Sequence, residues 1–367
     1  MTTIQNEFQP DYIISPGEIL EEVLEAQNFK KNEFAERCGR SPKAISQILN
    51  GKAPVTPELA IRFQRILGSS STLWNNLEAN YRLQLARKKE QEELKKQIIW
   101  AKDFPVNELA KWGFFEKPRH DIESVTRILD FFSVGSVESW EQRYQRVSLN
   151  FRHSPSFKSD SKTLVTWIRI GTIKAAQIDT VTYNPEKFRS ILNEIRKVTK
   201  EEPKIFEPVI KEKCREAGVV VIFFPEFKKM SLSGITRWLS KDKALIMMSL
   251  RHKSDDHFWF TFFHEAAHVL LHRKHSKKKI FIDDIRINNQ EDELETAANS
   301  FSANFLIPRV DYNGFLRNGD FSKNSILSFA QNIGIAPGIV VGRLQRERKI
   351  GYYMHNDLKQ RFRFKEK

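Results

Sequence analysis

Residues 258–271 have the sequence FWFTFFHEAAHVLL, in which His264 and His268 stand four positions apart among apolar side chains. On an α-helix, positions i and i+4 lie on one face one turn apart, so both imidazoles can reach a single tetrahedral ion. The apolar neighbours are typical of a buried helix, and their dry surroundings strengthen the electrostatic effect of a metal ion. The sequence therefore predicts a buried helix over about 256–271 that carries a zinc site. The alternative is a pair of core histidines.

Glu265 directly follows the first histidine, where a carboxylate can take a proton from metal-bound water and later pass it to a leaving amine. A catalytic zinc has three protein ligands and one open position, so a third ligand must come from elsewhere. In the helical run at 292–301, Glu295 and Asn299 are four positions apart, so one could bind the metal while the other hydrogen-bonds a ligating histidine. The residues alone do not decide which of three carboxylates is the third metal ligand, and these candidates are Glu291, Glu293 and Glu295. Asn299 is the candidate for the hydrogen bond. We expect His272 to cap or line the site and His275 to lie in a loop.

Outward from this helix, the hydrophobic pattern changes twice along the chain. Apolar residues recur at helical intervals between residues 104 and 200. After Gly218, two short apolar runs at 219–224 and 244–248 indicate two strands of a sheet. Further helices are expected around 291–306 and 322–348. The pattern predicts an α+β fold with a helical middle region (104–200) and a C-terminal domain with a small sheet (201–367).

The N-terminal part has short amphipathic segments that are broken at Gly39, Gly51 and Gly68. This pattern predicts an all-helical domain of four or five helices at residues 12–86. Opposite charges are mixed at helical spacing after residue 86, which predicts a solvated helical linker at 87–103.

A helix-turn-helix is predicted within this domain, because Ser41 followed by Pro42 is a strong signal for the start of a second helix after Gly39. The apolar residues of that helix would anchor it, so its other face would enter the major groove. Glutamine can pair bidentately with adenine, and basic side chains suit phosphates. The expected DNA contacts are Arg40, Ser41, Lys43, Ala44, Ser46, Gln47 and Lys52. A helical hairpin used only for packing is the alternative.

Composition restricts the class of protein. The chain of 367 residues carries a formal net charge of +14, which favours an acidic partner such as nucleic acid, although a solvated basic surface is also compatible. The N-terminal domain does not supply that excess, since residues 1–86 contain nine basic and ten acidic residues. Neither a signal peptide nor a membrane-spanning run is recognisable, so we expect a cytoplasmic protein without a membrane partner. Cys38 and Cys214 are expected to be buried, reduced thiols.

Three blocks in the C-terminal half resemble the ImmA/IrrE family of zinc metallopeptidases: His264 to His268, Glu295 with residues 298–308, and residues 335–345. The resemblance runs from about Phe104 onward. It implies a gluzincin-like fold, zinc on His264, His268 and Glu295, and Glu265 as the catalytic base. The third block resembles a structural helix pair in which Gly338 and Gly342 allow close packing.

Residues 12–86 resemble HigA-type antitoxins of the XRE helix-turn-helix family in four segments, at 15–20, 34–51, 55–60 and 73–81. The resemblance implies a homodimer on a palindromic operator in double-stranded DNA. One departure is the segment Lys30-Lys31-Asn32, which stands where a Ser or Thr cap is usual.

Two functions remain in competition. The first is a DNA-binding transcriptional regulator fused to a zinc-dependent endopeptidase, which cleaves a repressor or another partner protein to relieve repression. The second is a HigA-like antitoxin and autorepressor of a toxin–antitoxin system, whose zinc domain senses a signal or binds a partner without proteolysis.

Overall fold

The structure, a computed structural model, describes residues 13–152, 161–228, 230, 232–271 and 289–364, without the side chains of 145–152 and 289–292. The chain divides into two compact units, Met1–Ile99 and Trp100–Lys367. The domain boundaries predicted from the sequence stay a prediction.

The first unit is helical, as predicted. Its helices are α1 (Pro16–Ala26), α2 (Lys31–Arg37), α3 (Pro42–Leu49), α4 (Pro57–Leu67) and α5 (Ser71–Lys96). They enclose a core in which Phe34, Phe63 and Trp74 stack edge to face or tilted. Helix α5 passes residue 86 without a break, so the charged segment begins as the second half of this helix.

The second unit begins with helices that the periodicity of residues 104–200 had indicated. They are α7 (Val106–Lys111), α8 (Asp121–Phe132), α9 (Val137–Arg152), α10 (Ser161–Ala176), α11 (Pro185–Lys197) and α12 (Pro203–Arg215), after the short α6 (Ile98–Ala101) at the unit boundary. Helix α10 lies against the sheet that follows, because Gly171 has no side chain to keep Met247 and Leu245 away. The middle helices and the sheet therefore share one unit.

The sheet has three strands among the described residues: β1 (Val219–Phe223), β2 (Gly234–Ser240) and β3 (Lys243–Met248), in the order β1-β3-β2. Strand β1 is parallel to β3, and β2 is antiparallel to it. The sequence predicted β1 and β3 but not β2. Strand β2 is half-buried at the edge of the sheet, and its sequence GITRWLS lacks the apolar run that identified the other two.

Among the described residues, five α-helices complete the second unit around its hydrophobic core: α13 (Asp255–Leu271), α14 (Asn289–Leu306), α15 (Arg309–Asn318), α16 (Lys323–Ile333) and α17 (Pro337–Arg346). The predicted helix at 256–271 is confirmed. The one expected at 322–348 is divided, because Gly334 adopts φ +71° and Pro337 starts the next helix. Among the described residues, no single helix is long and apolar enough to cross a membrane; the bent pair α16–α17 qualifies by length and composition only.

Candidate metal centre and nucleic-acid interface

Three side chains predicted as metal ligands converge in the second unit. The Nε2 atoms of His264 and His268 lie 3.1 Å apart on one face of α13. Glu295 of α14 approaches them with Oε2 at 3.1 Å from His264 and Oε1 at 3.2 Å from His268. One ligand atom from each residue falls within 4.8 Å of the others, and no other such group of three was found among the described residues. The arrangement can hold one metal ion.

Packing of α14 on α13 brings Glu295 to the histidines. Ser302 donates a hydrogen bond of 2.8 Å to the carbonyl of Phe260. At the C-terminal end of α14, Arg343 donates to the carbonyls of Ala303 and Ile307 at 2.8 and 2.9 Å. These bonds hold the C-terminal part of α14, the helix that carries Glu295, against α13 and Arg343.

The electrostatics of the cluster suit a cation. Burial acts to raise the pKa of Glu295, but hydrogen bonds from His264 and His268 and their charge outweigh it and hold the pKa well below its ordinary value of 4.5. The histidines are mostly buried, whereas 54% of the Glu295 side chain is exposed. A set of two imidazoles and one carboxylate with an accessible side matches the donors of a catalytic zinc site.

Glu265 lies next to this cluster but turns to the sheet. Its side chain is buried, with 7% exposure. The hydroxyl of Thr236 in β2 lies 2.7 Å from Oε2 of Glu265 and 2.8 Å from its carbonyl oxygen. Sequence reasoning missed Thr236 because it belongs to the strand that the hydrophobic pattern did not reveal.

The structure describes only some of the other residues that were predicted to lie around the metal. The Nδ1 atom of His264 is buried and has no hydrogen-bond partner among the described residues, so the bond expected from Asn299 to a ligating histidine is not formed to this one. Glu293 is exposed on α14, while the side chain of Glu291 lies outside the described residues. His272 and His275 also lie outside the described residues.

The start of α13 is held by α17 and the C-terminal segment. A Cβ at Gly338 or Gly342 would lie 2.4 Å from a carboxylate oxygen of Asp255 or Asp256, respectively. The predicted role of these glycines in close packing is confirmed. Burial and the neighbouring charge of Asp256 raise the pKa of Asp255 to about 7. Lys359 pairs with Asp256 at 2.7 Å.

The predicted helix-turn-helix corresponds to α2, a turn at Gly39 with φ +61°, and α3. The Ser41 hydroxyl accepts a hydrogen bond of 3.2 Å from the Ala44 N–H, which caps α3 as expected. Lys30, the N-cap residue before α2, makes no side-chain capping hydrogen bond, in line with the departure seen in the sequence.

The proposed contact face of α3 lies opposite its buried anchors, which are Ile45, Ile48 and Leu49. Six of the seven predicted DNA contacts are exposed and Ala44 is half-buried; the exposed ones are Arg40, Ser41, Lys43, Ser46, Gln47 and Lys52. Both cysteines are buried and free, as expected, and burial raises the pKa of Cys38 to about 11.

Known proteins resemble the two parts of the chain separately. The family model of the IrrE N-terminal-like domain, peptidase M78, matches residues 214–344, and the helix-turn-helix model matches residues 20–74. The HTH-type transcriptional regulator YddM of Escherichia coli (strain K12) is 40% identical over 73 residues, which are 20% of this chain and 78% of that protein. Virulence-associated protein I of Dichelobacter nodosus is 32% identical over 79 residues, 21% of this chain and 73% of that protein. A solved addiction module antidote protein of the HigA family from Coxiella burnetii has 30% identity and a TM-score of 0.21, and the match covers 23% of this chain and 94% of that one.

The fold and the matches define a regulator that has an N-terminal domain of the helix-turn-helix class and a C-terminal peptidase-like domain. The chain belongs to the XRE-type helix-turn-helix regulators through its N-terminal domain, and residues 214–344 form an ImmA/IrrE-like domain of the peptidase M78 family.

Proposed function

We propose that the protein is a cytoplasmic, DNA-binding transcriptional regulator whose C-terminal domain is a zinc-dependent endopeptidase that cleaves a repressor or another partner protein. The observation that carries the proposal is the convergence of His264, His268 and Glu295 beside Glu265. A structural zinc normally has four protein ligands, whereas three and an accessible side favour a catalytic ion.

In this mechanism, Nε2 of each histidine and the Glu295 carboxylate would hold the ion. Zinc supplies Lewis-acid chemistry and a nucleophilic water near neutral pH. Glu265 would serve as the general base that takes a proton from the attacking water and then passes it to the leaving amine. Phe263 and Ala267, buried next to the two histidines, exclude water from the inner side of α13.

Strand β2 supports a peptide as the substrate. It lies at the edge of the sheet among the described residues, so its outer backbone groups can pair with an extended segment of another chain. Thr236 joins this strand to Glu265. A peptide added along β2 would therefore run beside the proposed base.

For the N-terminal unit we propose a homodimer that binds a palindromic operator, with α3 in the major groove. Gln47 would contact a base edge, whereas Arg40, Lys43 and Lys52 would contact phosphates. We retain residues 12–86 as the DNA-binding domain and 87–103 as its linker. The regions 104–200 and 201–367 then form the metallopeptidase part.

A transcription reporter driven by the promoter of the protein's own gene tests how the two activities are joined. We expect Lys43→Ala and Gln47→Ala to release repression, because both remove contacts from the exposed face of α3. Glu265→Gln should still repress but should fail to release repression under DNA-damaging or oxidative stress. Lys31→Ala, on α2 and paired with Glu21, is the matched charge control.

Release of repression by Glu265→Gln to the level of the wild type would contradict proteolytic control. That result, together with retained zinc binding, would favour the second candidate, a HigA-like autorepressor whose metal domain senses a signal or binds a partner. The resemblance of residues 12–86 to HigA-type antitoxins favours this candidate, whereas the relative YddM, which is named a transcriptional regulator, supports DNA binding in both.

A further inference from the structure

The Thr236 hydroxyl is placed between two acceptors of the same residue. Its Oγ1 lies 2.7 Å from Oε2 of Glu265 and 2.8 Å from the Glu265 carbonyl oxygen. A hydroxyl has one proton to donate, and an ionised carboxylate is the stronger acceptor. When Glu265 is ionised, Thr236 therefore donates to Oε2.

Gly234 meets the same side chain two positions earlier in β2, where alternation places both residues on one face of the strand. A Cβ at Gly234 would lie 2.9 Å from Cγ and 3.0 Å from Oε1 of Glu265. Such approaches are closer than ordinary contacts allow. The strand thus offers a hydroxyl to one carboxylate oxygen and leaves room for the other.

This pair of contacts determines how the carboxylate is turned. Glu265 is buried, and its Oε1 accepts no hydrogen bond from the described residues, whereas Oε2 is held by Thr236. We propose that Thr236 is a positioning residue that fixes the rotation of the Glu265 carboxylate and leaves Oε1 as the oxygen that takes the proton. The inference rests on the proposed function, because it concerns the base of that reaction.

A purely structural role would have a different signature. If Thr236 only joins β2 to α13, its loss lowers stability without a specific effect on a ligand beside Glu265. Thr236→Val keeps the shape of the side chain and removes the donor, whereas Thr236→Ser keeps the donor and removes a methyl group. Thr166→Val is a matched control, because it removes another buried hydroxyl, which donates to the carbonyl of Lys162 in α10.

Acetohydroxamate is a suitable probe, because it binds zinc through two oxygens and offers polar hydrogens to a neighbouring carboxylate. Its affinity is measured by calorimetric titration of the full-length, zinc-loaded protein, and zinc affinity and thermal unfolding are measured separately. We expect Glu265→Gln and Thr236→Val to weaken acetohydroxamate binding about tenfold, the size of one hydrogen bond. Thr236→Ser and Thr166→Val should bind it as the wild type does, and all variants should bind zinc.

The outcomes separate this inference from the function on which it rests. Wild-type affinity in Thr236→Val, or equal weakening in Thr236→Val and Thr236→Ser, would overturn the role of Thr236 and leave the peptidase proposal intact if Glu265→Gln is weakened. A Glu265→Gln protein that binds the probe as tightly as the wild type would remove the proposed base itself. Failure of the wild-type protein to bind zinc would overturn the proposed function.

Discussion

Glu295 is distinguished from other carboxylates of its helix by direct contact with both histidines, at 3.1 and 3.2 Å. Glu293, two positions earlier, is exposed, and positions i and i+2 of a helix do not face the same way. At the level of single residues, this geometry and the resemblance to the ImmA/IrrE family select the same ligand.

Substitution of the two carboxylates tests this selection. We expect Glu295→Gln to weaken zinc binding by at least about 100-fold, because loss of a second-shell partner alone typically costs 10- to 100-fold. Glu293→Gln should bind zinc like the wild type. Competition with a chromophoric chelator measures both, and equal affinities of the two variants would contradict the proposed ligand set.

The raised pKa of Asp255 predicts how the stability of the folded protein depends on pH. Its carboxyl is fully buried beside Asp256 and Lys359, and its pKa is raised from 3.8 to about 7 in the folded protein. The folded state therefore holds this proton more tightly than the unfolded chain does. The resulting stabilisation is fully present below about pH 4 and is lost as the pH rises to about 7, with a slope of at most about 1.4 kcal/mol per pH unit.

Asp255→Asn removes that dependence, because an amide does not titrate. The free energy of unfolding, measured by urea denaturation between pH 4 and 8, should fall more steeply with pH in the wild type than in the variant. Asp256 and Lys359 remain in both proteins, so the difference between the two curves reports Asp255. Parallel curves would show that Asp255 has no raised pKa in the folded protein.

At the scale of elements, the contact between α13 and α17 depends on two glycines. Gly338→Ala would bring a Cβ to within 2.4 Å of the Asp255 carboxylate. We expect a loss of about 1–3 kcal/mol in the free energy of unfolding, as for other overpacked cores. Gly314→Ala is the matched control, because nothing lies within 4 Å of its added Cβ on α15.

The control should instead gain up to about 1 kcal/mol, since alanine is the better helix former. Chemical denaturation of both variants measures the difference. A Gly338→Ala protein as stable as Gly314→Ala would mean that α13 and α17 are not as closely packed as the structure shows.

Only part of the secondary structure could be predicted from the sequence. Periodicity predicted α13 and strands β1 and β3, because each buries a continuous apolar face. Strand β2 and helix α15 were not predicted. Strand β2 is an edge strand whose Thr236 and Arg237 are only half-buried, so its stability comes from pairing with β3, which local pattern does not encode.

The residues of the candidate site could likewise be predicted only in part from the sequence. His264, Glu265 and His268 stand in one short motif, so spacing alone brings them together. Glu295 needed the family resemblance, since its distance to the histidines depends on how α14 packs. Thr236 and Gly234 reach Glu265 through the missed strand, and no signal in the sequence marks them.

At the scale of the whole molecule, the chain joins two units that carry different candidate sites. The N-terminal unit presents the exposed face of α3, and the second unit holds the candidate ligands His264, His268 and Glu295 together with Glu265. The net charge of +14 comes from residues beyond the nearly neutral first 86. We therefore expect salt to weaken DNA binding by the full chain, with part of the dependence arising outside the helix-turn-helix.

The central claim is that Glu265, together with a zinc ion held by His264, His268 and Glu295, cleaves a protein. The appearance of new protein N-termini tests this claim most directly. They are compared in cells that express the wild-type protein or Glu265→Gln at matched levels, under DNA-damaging or oxidative stress. We predict cleavage products that occur only with the wild type and that identify the substrate. Identical sets of N-termini, with zinc bound by both proteins, would contradict the peptidase.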